Sequence, residues 1–447
     1  MKMIVENYFK SCGKKLLPKL VKWSTAVEPV LLWAFLILLP WQTVLLYRVA
    51  EVGGSPWTYG TLGFYITEIV FWLFLLTRMI PTLLKIKFDF SESVLQKQYK
   101  YMFILLLPVL YGYISIFWAA DTSLALHVAR VFLQGTILFF LLLDIPLKKI
   151  IIPFIIGSTT QSFFAIGQFL LQKTGGSSTL FGLTEHVAHM PGTSVIVTEG
   201  ERWLRAYGSL PHPNILGGYL LLAMVLLVFI YPVAKKWRYV HVSIVALHSM
   251  ALLFTWSRSA LLGLGILLLC VCIEVYKKKK WDKLLYIVLP IVFMLLIFGI
   301  TFSSITTTRL FGASAHEVQS IHERVTSVST AGNMLKWYWP RGVGVGNYTA
   351  QMFMLDNNLS GYMLQPVHVV PLLFFIEYGI AGLILALYAL SVFVKKYLRM
   401  SPKQFRWDRC IIFAPLFFCD HYLYTSWVGV VMMAIIFVLF VDKKSSY

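Results

Sequence analysis

The sequence predicts an all-α polytopic membrane protein of about twelve transmembrane helices with a large external loop, on three observations. Of its 447 residues 58% are hydrophobic and only 13% charged; so few charges cannot solvate the surface of a soluble domain, and lipid must be the main solvent. Apolar stretches of about 20 residues, the length that crosses a hydrocarbon core of about 30 Å, recur along the chain. The lysines and arginines gather in alternate connecting segments, the pattern that membrane orientation produces.

A basic amphipathic segment opens the chain at 1–26. Lys10, Lys14, Lys15, Lys19 and Lys22 interleave with Phe9, Leu16, Leu17 and Leu20, which suits a helix lying on an anionic membrane surface. It lacks the short apolar core and small-residue cleavage site of a signal peptide, so it is expected to stay on the mature protein. A single transmembrane domain follows at 27–441, with spans expected at 27–47, 59–77, 101–119, 123–143, 151–171, 215–233, 240–255, 260–276, 284–303, 367–394, 407–419 and 424–441. Glu68 and Arg130 lie inside two of these spans and suit a buried pair with a structural role. The span at 407–419 is short and must borrow neighbours to cross. A tail at 442–447 ends the chain.

The N-terminus, 78–100, 144–150, 234–239, 277–283, 395–406 with Arg409, and the tail together hold about 29 of the 39 Lys and Arg. Both termini are therefore expected in the cytoplasm. The net charge of +19 has the same origin. Its lysine runs, Lys277–Lys280 and Lys395–Lys396, are short clusters between spans rather than a nucleic-acid-binding face. Two connections on the other side are long. Residues 172–214 and 304–366 are expected to fold over the membrane face as a functional cap, the second with an amphipathic helix around Val318–Tyr338. Cys12, Cys270, Cys272, Cys410 and Cys419 show no CxxC pair or regular spacing, and no HExxH or His/Cys cluster suggests a metal.

Few positive charges are tolerated on the external side, so each one there asks for a reason. Arg205 opens the stretch Arg205-Ala206-Tyr207-Gly208-Ser209-Leu210-Pro211-His212-Pro213-Asn214, in which Asn214 is placed to cap the next span. Arg258 lies in a tight Ser257-Arg258-Ser259 turn, and Arg324 follows His322-Glu323 on the second long loop. A guanidinium is a rigid fork of donors that stays charged at any relevant pH, the natural partner of a phosphate or diphosphate. Singly, each arginine could pair with a lipid phosphate or with Glu201 or Glu323; together they point to a shared anionic ligand. His368 stands at the outer start of a span, with Glu377 nine residues on. A histidine can take a proton from a hydroxyl near neutral pH, though a lone interfacial histidine can equally be a packing residue. Asp420-His421 occupies the last external turn and can orient a group, assist proton transfer, or simply be solvated. Gly342-Val343-Gly344-Val345-Gly346-Asn347 neither follows a strand nor ends in Lys-Ser/Thr, so its glycines are expected to serve positive backbone dihedrals in a folded loop.

These motifs resemble the O-antigen ligase and O-antigen polymerase superfamily over most of 200–440. Arg205 through Asn214, followed by Ile215-Leu216-Gly217-Gly218, looks like that family's arginine, glycine, His-Pro-Asn approach to a span, and Thr255-Trp256-Ser257-Arg258-Ser259 looks like its Ser-Arg-Ser turn. Arg324 with Pro340-Arg341-Gly342-Val343-Gly344 is similar to its large periplasmic loop. His368 with Gly379 and Gly382 fits the ligase spacing, while Val369 stands where the family has a polar residue.

The resemblance implies a C-type glycosyltransferase fold without cofactor or metal, in a bacterial cytoplasmic (inner) membrane with the site facing the periplasm or exterior. It implies a polyprenyl-diphosphate-linked glycan donor and a lipid or envelope-glycan acceptor. Arg205, Arg258 and Arg324 would bind the diphosphate and neutralise it as the leaving group, His368 would activate the acceptor hydroxyl, and His212, Asn214, Asp420 and His421 would line the substrate site. Ligase and polymerase both remain open. A glycolipid transporter or flippase is a different class, disfavoured because the arginines gather at one face rather than at mid-membrane; a non-catalytic envelope scaffold is a third.

Overall fold

The computed structural model describes residues 2–86, 92–231, 234–311, 315–398 and 407–440; the tail at 442–447 and the basic segment 399–406 lie outside them. The first five helices are α1 (Lys2–Leu38), α2 (Ile66–Ile86), α3 (Glu92–Ile114), α4 (Thr122–Leu143) and α5 (Leu147–Leu171). Then come α6 (Pro213–Ile230), α7 (Arg238–Thr255), α8 (Arg258–Lys278), α9 (Trp281–Lys283) and α10 (Leu289–Thr301), the last two joined by a π-helical turn. The long external loop holds α11 (Ser303–Phe311), α12 (Ala315–Tyr338) and α13 (Tyr348–Leu355). Four more close the chain: α14 (Val370–Leu398), α15 (Trp407–Cys419), α16 (Tyr422–Thr425) and α17 (Trp427–Phe440).

Among the described residues eight helical stretches are long and apolar enough to cross a membrane, and three shorter apolar helices join them. Among the described residues sheet is limited to three two-stranded ribbons and two isolated bridges. The protein is an all-α polytopic membrane protein. The span expected at 123–143 is α4, and the amphipathic helix expected around Val318–Tyr338 is α12. α6 is the central helix: 83% of its span is buried, with α5, α7, α8 and α17 packed around it.

The first two spans need correction. α1 runs unbroken through the basic segment and stops at Leu38, before Pro40, and α2 begins only at Ile66. Between them β1 (Val44–Arg48) pairs antiparallel with β4 (Leu62–Tyr65), and β2 (Glu51–Val52) with β3 (Ser55–Pro56). Gly53 and Gly54, both at positive φ, make the two-residue turn between β2 and β3, the geometry that suits a tight hairpin. Residues 39–65 are thus a hairpin on the face of the long loops rather than two span ends. It docks on its neighbours: Arg48 pairs with Asp121 at 2.7 Å, and Thr43 Oγ1 donates to the Leu180 carbonyl at 2.7 Å. The Glu68–Arg130 pair forms as expected, and Glu68 also accepts from Gln134 Nε2 and from the Tyr65 amide, each at 3.0 Å.

The β5 (Val195–Thr198) and β6 (Glu201–Leu204) ribbon lies in the first long loop. Thr198 Oγ1 there meets Thr308 of the second loop at 2.8 Å. The loops on this face therefore form one connected cap. On the opposite side the basic connections meet, Arg238 lying 3.7 Å from Asp282.

α14 is interrupted. Gly379 (φ 62°, ψ −172°) breaks its helical dihedrals, and the glycine-rich loop fills the break: Val343 N donates to Ile376 O at 2.9 Å, Gly344 N to Glu377 O at 3.1 Å, and Ile380 N to Trp339 O at 2.7 Å. Gly342, Gly344 and Gly346 all have positive φ, and a Cβ on Gly342 would lie 2.2 Å from the Glu377 carbonyl oxygen. Backbone groups freed inside a membrane helix must find partners, and here a second segment of chain supplies them.

Candidate active site

The segment leading into α6 is held from below by two glutamines seven residues apart on α5. Gln168 Oε1 accepts from the amides of Tyr207 and Gly208 at 3.0 and 2.8 Å, and its Nε2 donates to the Gly208 carbonyl at 2.7 Å. Gln161 Oε1 accepts from the Ser209 amide and hydroxyl at 2.7 and 3.0 Å. Gly208 has φ +62°, and a Cβ there would meet Gln161 Oε1 at 2.6 Å. The polar backbone of Tyr207, Gly208 and Ser209 thereby finds side-chain partners.

The segment ends in a cap that differs from expectation. His212, not Asn214, precedes the helix, and its Nδ1 accepts from the Asn214 amide at 3.1 Å. Pro213 takes the first helical position, where its missing N–H costs nothing. The Asn214 side chain bridges two other groups instead, its Oδ1 accepting from Arg205 at 2.6 Å and its Nδ2 donating to Asp420 Oδ2 at 2.8 Å. Arg205, buried at 6% exposure, also donates through Nε to the Thr255 carbonyl at 2.8 Å. One polar chain therefore ties together the first loop, the α7–α8 turn and the last external turn.

At its far end, Asp420 Oδ1 accepts from the His421 amide at 3.0 Å. His421 Nδ1 meets Thr425 Oγ1 at 2.9 Å, and its Nε2 meets the Tyr59 hydroxyl at 3.3 Å. Thr425 directs its own proton to the His421 carbonyl, so its oxygen accepts from Nδ1–H. Nε2 is then the acceptor of the Tyr59 proton, a tautomer assigned from the network. The His368 ring crosses His421 at 4.9 Å between centroids and 69°. His368 Nδ1 is buried and has no hydrogen-bond partner among the described residues.

Arg324 comes from above. On α12 it shares a face with Ala331 and Met334, which are 0% and 1% exposed, so this face is turned to the protein. Its charge bears on His368, His421, His212 and Asp420 alike. Arg258 sits at the first position of α8, behind the Ser257 cap. Arg309, buried on α11, donates to the Trp256 carbonyl at 3.2 Å, so a second arginine joins that turn. The fold thus gathers Arg205, His212, Asn214, Arg324, His368, Asp420 and His421, with Arg258 at the start of α8, two residues from the Trp256 carbonyl that Arg309 holds.

The electrostatics follow from burial. His368 is lowered to about 4, by burial first, then by His421 and Arg324, against the raising effect of Asp420. Burial and then Arg324 lower His421 to about 4, and burial followed by Arg205 lowers His212 well below its ordinary value. Burial raises Asp420, opposed by His368, the His421 amide, Arg324 and Asn214. Burial, with Asp420 adding to it, raises the Tyr59 phenol, which stays a proton donor. All three imidazoles are therefore neutral at pH 7.

Stability should respond accordingly. The unfolded histidines protonate near about 6.5, so from there down to the folded values the unfolded state binds more protons and stability falls with pH. Asp420 acts in the opposite sense, one carboxyl against three imidazoles, and protonating His212 at Nδ1 would also break the α6 cap. We expect the thermal midpoint in nanodiscs to drop by several degrees between pH 7.5 and pH 5; a midpoint that holds or rises would contradict the buried, neutral assignment.

Tyr59 and Arg309 escape a reading by motif. Tyr59 falls in a stretch whose hydropathy reads as a span, although Pro40 and Gly53-Gly54 signal a turn; Arg309 follows Thr306-Thr307-Thr308 with no motif around it. Gln161 and Gln168, polar and on one face of an apolar span, were a usable signal. Among the described residues no group of three or more His, Cys, Asp or Glu converges in a metal-holding arrangement.

Residues 243–387 match the family model of the O-antigen ligase domain. The match contains Arg258, Arg324, the glycine-rich loop, His368 and Glu377. It omits Arg205–Asn214 and Asp420–His421, which the structure folds against those residues. No curated protein matches the chain. A chain from a solved peptidoglycan synthase complex aligns over 78% of this chain and 98% of its own, at 12% identity and a TM-score of 0.36.

Proposed function

From a chain that carries an O-antigen ligase domain, a family of cell-envelope glycan-processing enzymes, we propose a transferase acting at the periplasmic face of a bacterial inner membrane. It moves a glycan from a polyprenyl-diphosphate carrier to a hydroxyl acceptor. The observation that supports this reading best is His368: neutral, with an unpartnered nitrogen, packed on the Asp420–His421 turn, and under the charge of Arg324.

The acceptor oxygen attacks the anomeric carbon from the side opposite the leaving group, its O–H proton passes to His368, and the new C–O bond forms with inversion. The bond from that carbon to the diphosphate oxygen breaks, and the electron pair leaves with the diphosphate. Charge that develops on the leaving group is met by Arg324, with Arg258 as a second cation. Asp420 steadies the imidazolium as it forms. A diphosphate that neutralises Arg324 also removes one of the causes that depress His368, so the donor itself makes the base stronger. Arg205, engaged by Thr255 and Asn214, positions Asp420 from beneath.

Transfer in proteoliposomes from a polyprenyl-diphosphate-linked glycan tests this. A single addition to an acceptor marks a ligase and a ladder of products a polymerase. Arg324→Ala should lower kcat/KM for the donor at least about tenfold, with part of the loss in kcat, since the charge it meets grows in the transition state. Arg324→Lys should restore this only in part, since an ammonium lacks the planar fork. Wild-type donor KM and kcat in Arg324→Ala would remove Arg324 from the donor site.

A further inference from the structure

α12 presents three faces. At 3.6 residues per turn, Arg324, Ala331 and Met334 fall in the sector packed on the protein. Gln319, Thr326 and Asn333 fall in a polar, exposed sector. A third sector, beside the packed one, carries Val318, Ile321, Val325 and Val328, exposed by 59%, 47%, 64% and 44%. A helix between protein and water needs only two such sectors. One that also lies against hydrocarbon needs the third.

The level of the helix points the same way. Trp339, the residue after α12, gives its carbonyl to Ile380 N at 2.7 Å, and Pro340 gives its own to Ala381 N at 3.3 Å. Counting back the roughly 20 residues that cross the hydrocarbon from the basic end of α14 at Lys395 reaches its break at Ile376–Ile380. The chain leaving α12 is therefore tied to α14 where the acyl region begins. Trp337 and Trp339, exposed by 80% and 52%, stand at that level, as aromatic residues do at membrane interfaces.

We infer that α12 is an in-plane interfacial helix whose Val318, Ile321, Val325 and Val328 face inserts among the acyl chains of the leaflet on the active-site side. Its packed face carries Arg324, so the bilayer itself seats this arginine over His368. If the proposed function holds, α12 is also the rim over which a lipid-borne donor passes from the leaflet to Arg324.

The test reads lipid contact without any donor, so it stands apart from the transferase assignment. A genetically encoded fluorescent amino acid is placed at Ile321, Val325 or Thr326 of the full chain in nanodiscs. All three positions face outward. The expected result is quenching of the Ile321 and Val325 probes by nitroxide-bearing phospholipid several-fold stronger than that of Thr326, with aqueous iodide showing the reverse order. Iodide quenching at Val325 equal to that at Thr326 would place the stripe in water and overturn the inference. Shielding of Ile321 and Val325 from both quenchers would also overturn it, since a protein surface would then cover the stripe.

Discussion

Replacing His368 with alanine is expected to slow glycan transfer about 10²–10⁴-fold, the usual contribution of a general base, while the thermal midpoint of the purified protein stays near wild type. The two halves of this expectation have separate causes. The ring is only partly buried, and its Nδ1 has no partner to lose, so truncation orphans no donor or acceptor and sacrifices mainly the packing against His421. A buried ring nitrogen held without a hydrogen bond is a cost to the fold, and it makes sense where a substrate group completes it. The loss should fall on kcat rather than on the donor KM, because the base acts on the acceptor and only as the proton moves. The wild-type rate should fall on the acid side as His368 protonates, and the donor should shift that limb upward by neutralising Arg324. Initial rates at saturating donor, for wild type and His368→Ala in the same proteoliposomes, decide it. A variant with wild-type kcat would return His368 to a packing role.

Much of this site was legible because its polar groups had no other business at an apolar face. Arg205, Arg324, His368 and Asp420-His421 stood out against a chain in which charge is scarce, and the structure brings them together across more than 200 residues of sequence, from Arg205 to Asp420. Spans with strong hydropathy and clear ends were equally legible: α4 begins one residue from its expected start, because Asp121 caps it and accepts from the Leu124 amide at 2.9 Å.

What failed was chemistry shared by two states. Val44–Tyr47 and Leu62–Tyr65 are apolar and β-favouring, so a hydropathy window reads them as span ends although Pro40 has already stopped the helix. With the hairpin misread, Tyr59 could not be placed on His421. The cap of α6 failed for a smaller reason: Asn is the commoner cap, but Pro213 fixes the first helical position and leaves His212 to precede it. The break in α14 was invisible, since Gly379 in an apolar run does not reveal that another loop will supply the missing hydrogen bonds.

That break makes Glu377 the residue whose loss should damage the fold most. Its carboxylate, on a side chain 3% exposed, accepts from the Gly346 amide at 2.7 Å, from the Tyr348 amide at 3.3 Å, and from the Tyr424 hydroxyl. Gly346 belongs to the glycine-rich loop, Tyr348 opens α13 directly after it, and Tyr424 lies on α16 beside Asp420 and His421, so one side chain fastens the long loop to the α15–α17 connection. Glu377→Ala leaves all three donors facing an apolar interior, at about 1–3 kcal/mol each, so a loss of at least about 3 kcal/mol is expected. Tyr424→Phe removes one donor without stranding the others and should cost about 1 kcal/mol. Glu377→Gln should fall between, because the amide keeps one acceptor oxygen but turns an N–H toward a group that also donates. Thermal unfolding of the three variants in nanodiscs tests the order. If Glu377→Ala unfolds at the wild-type temperature, the glycine-rich loop is held by its bonds to the Ile376 and Glu377 carbonyls, Ser115 and Asp121, and the carboxylate must then serve the reaction rather than the fold.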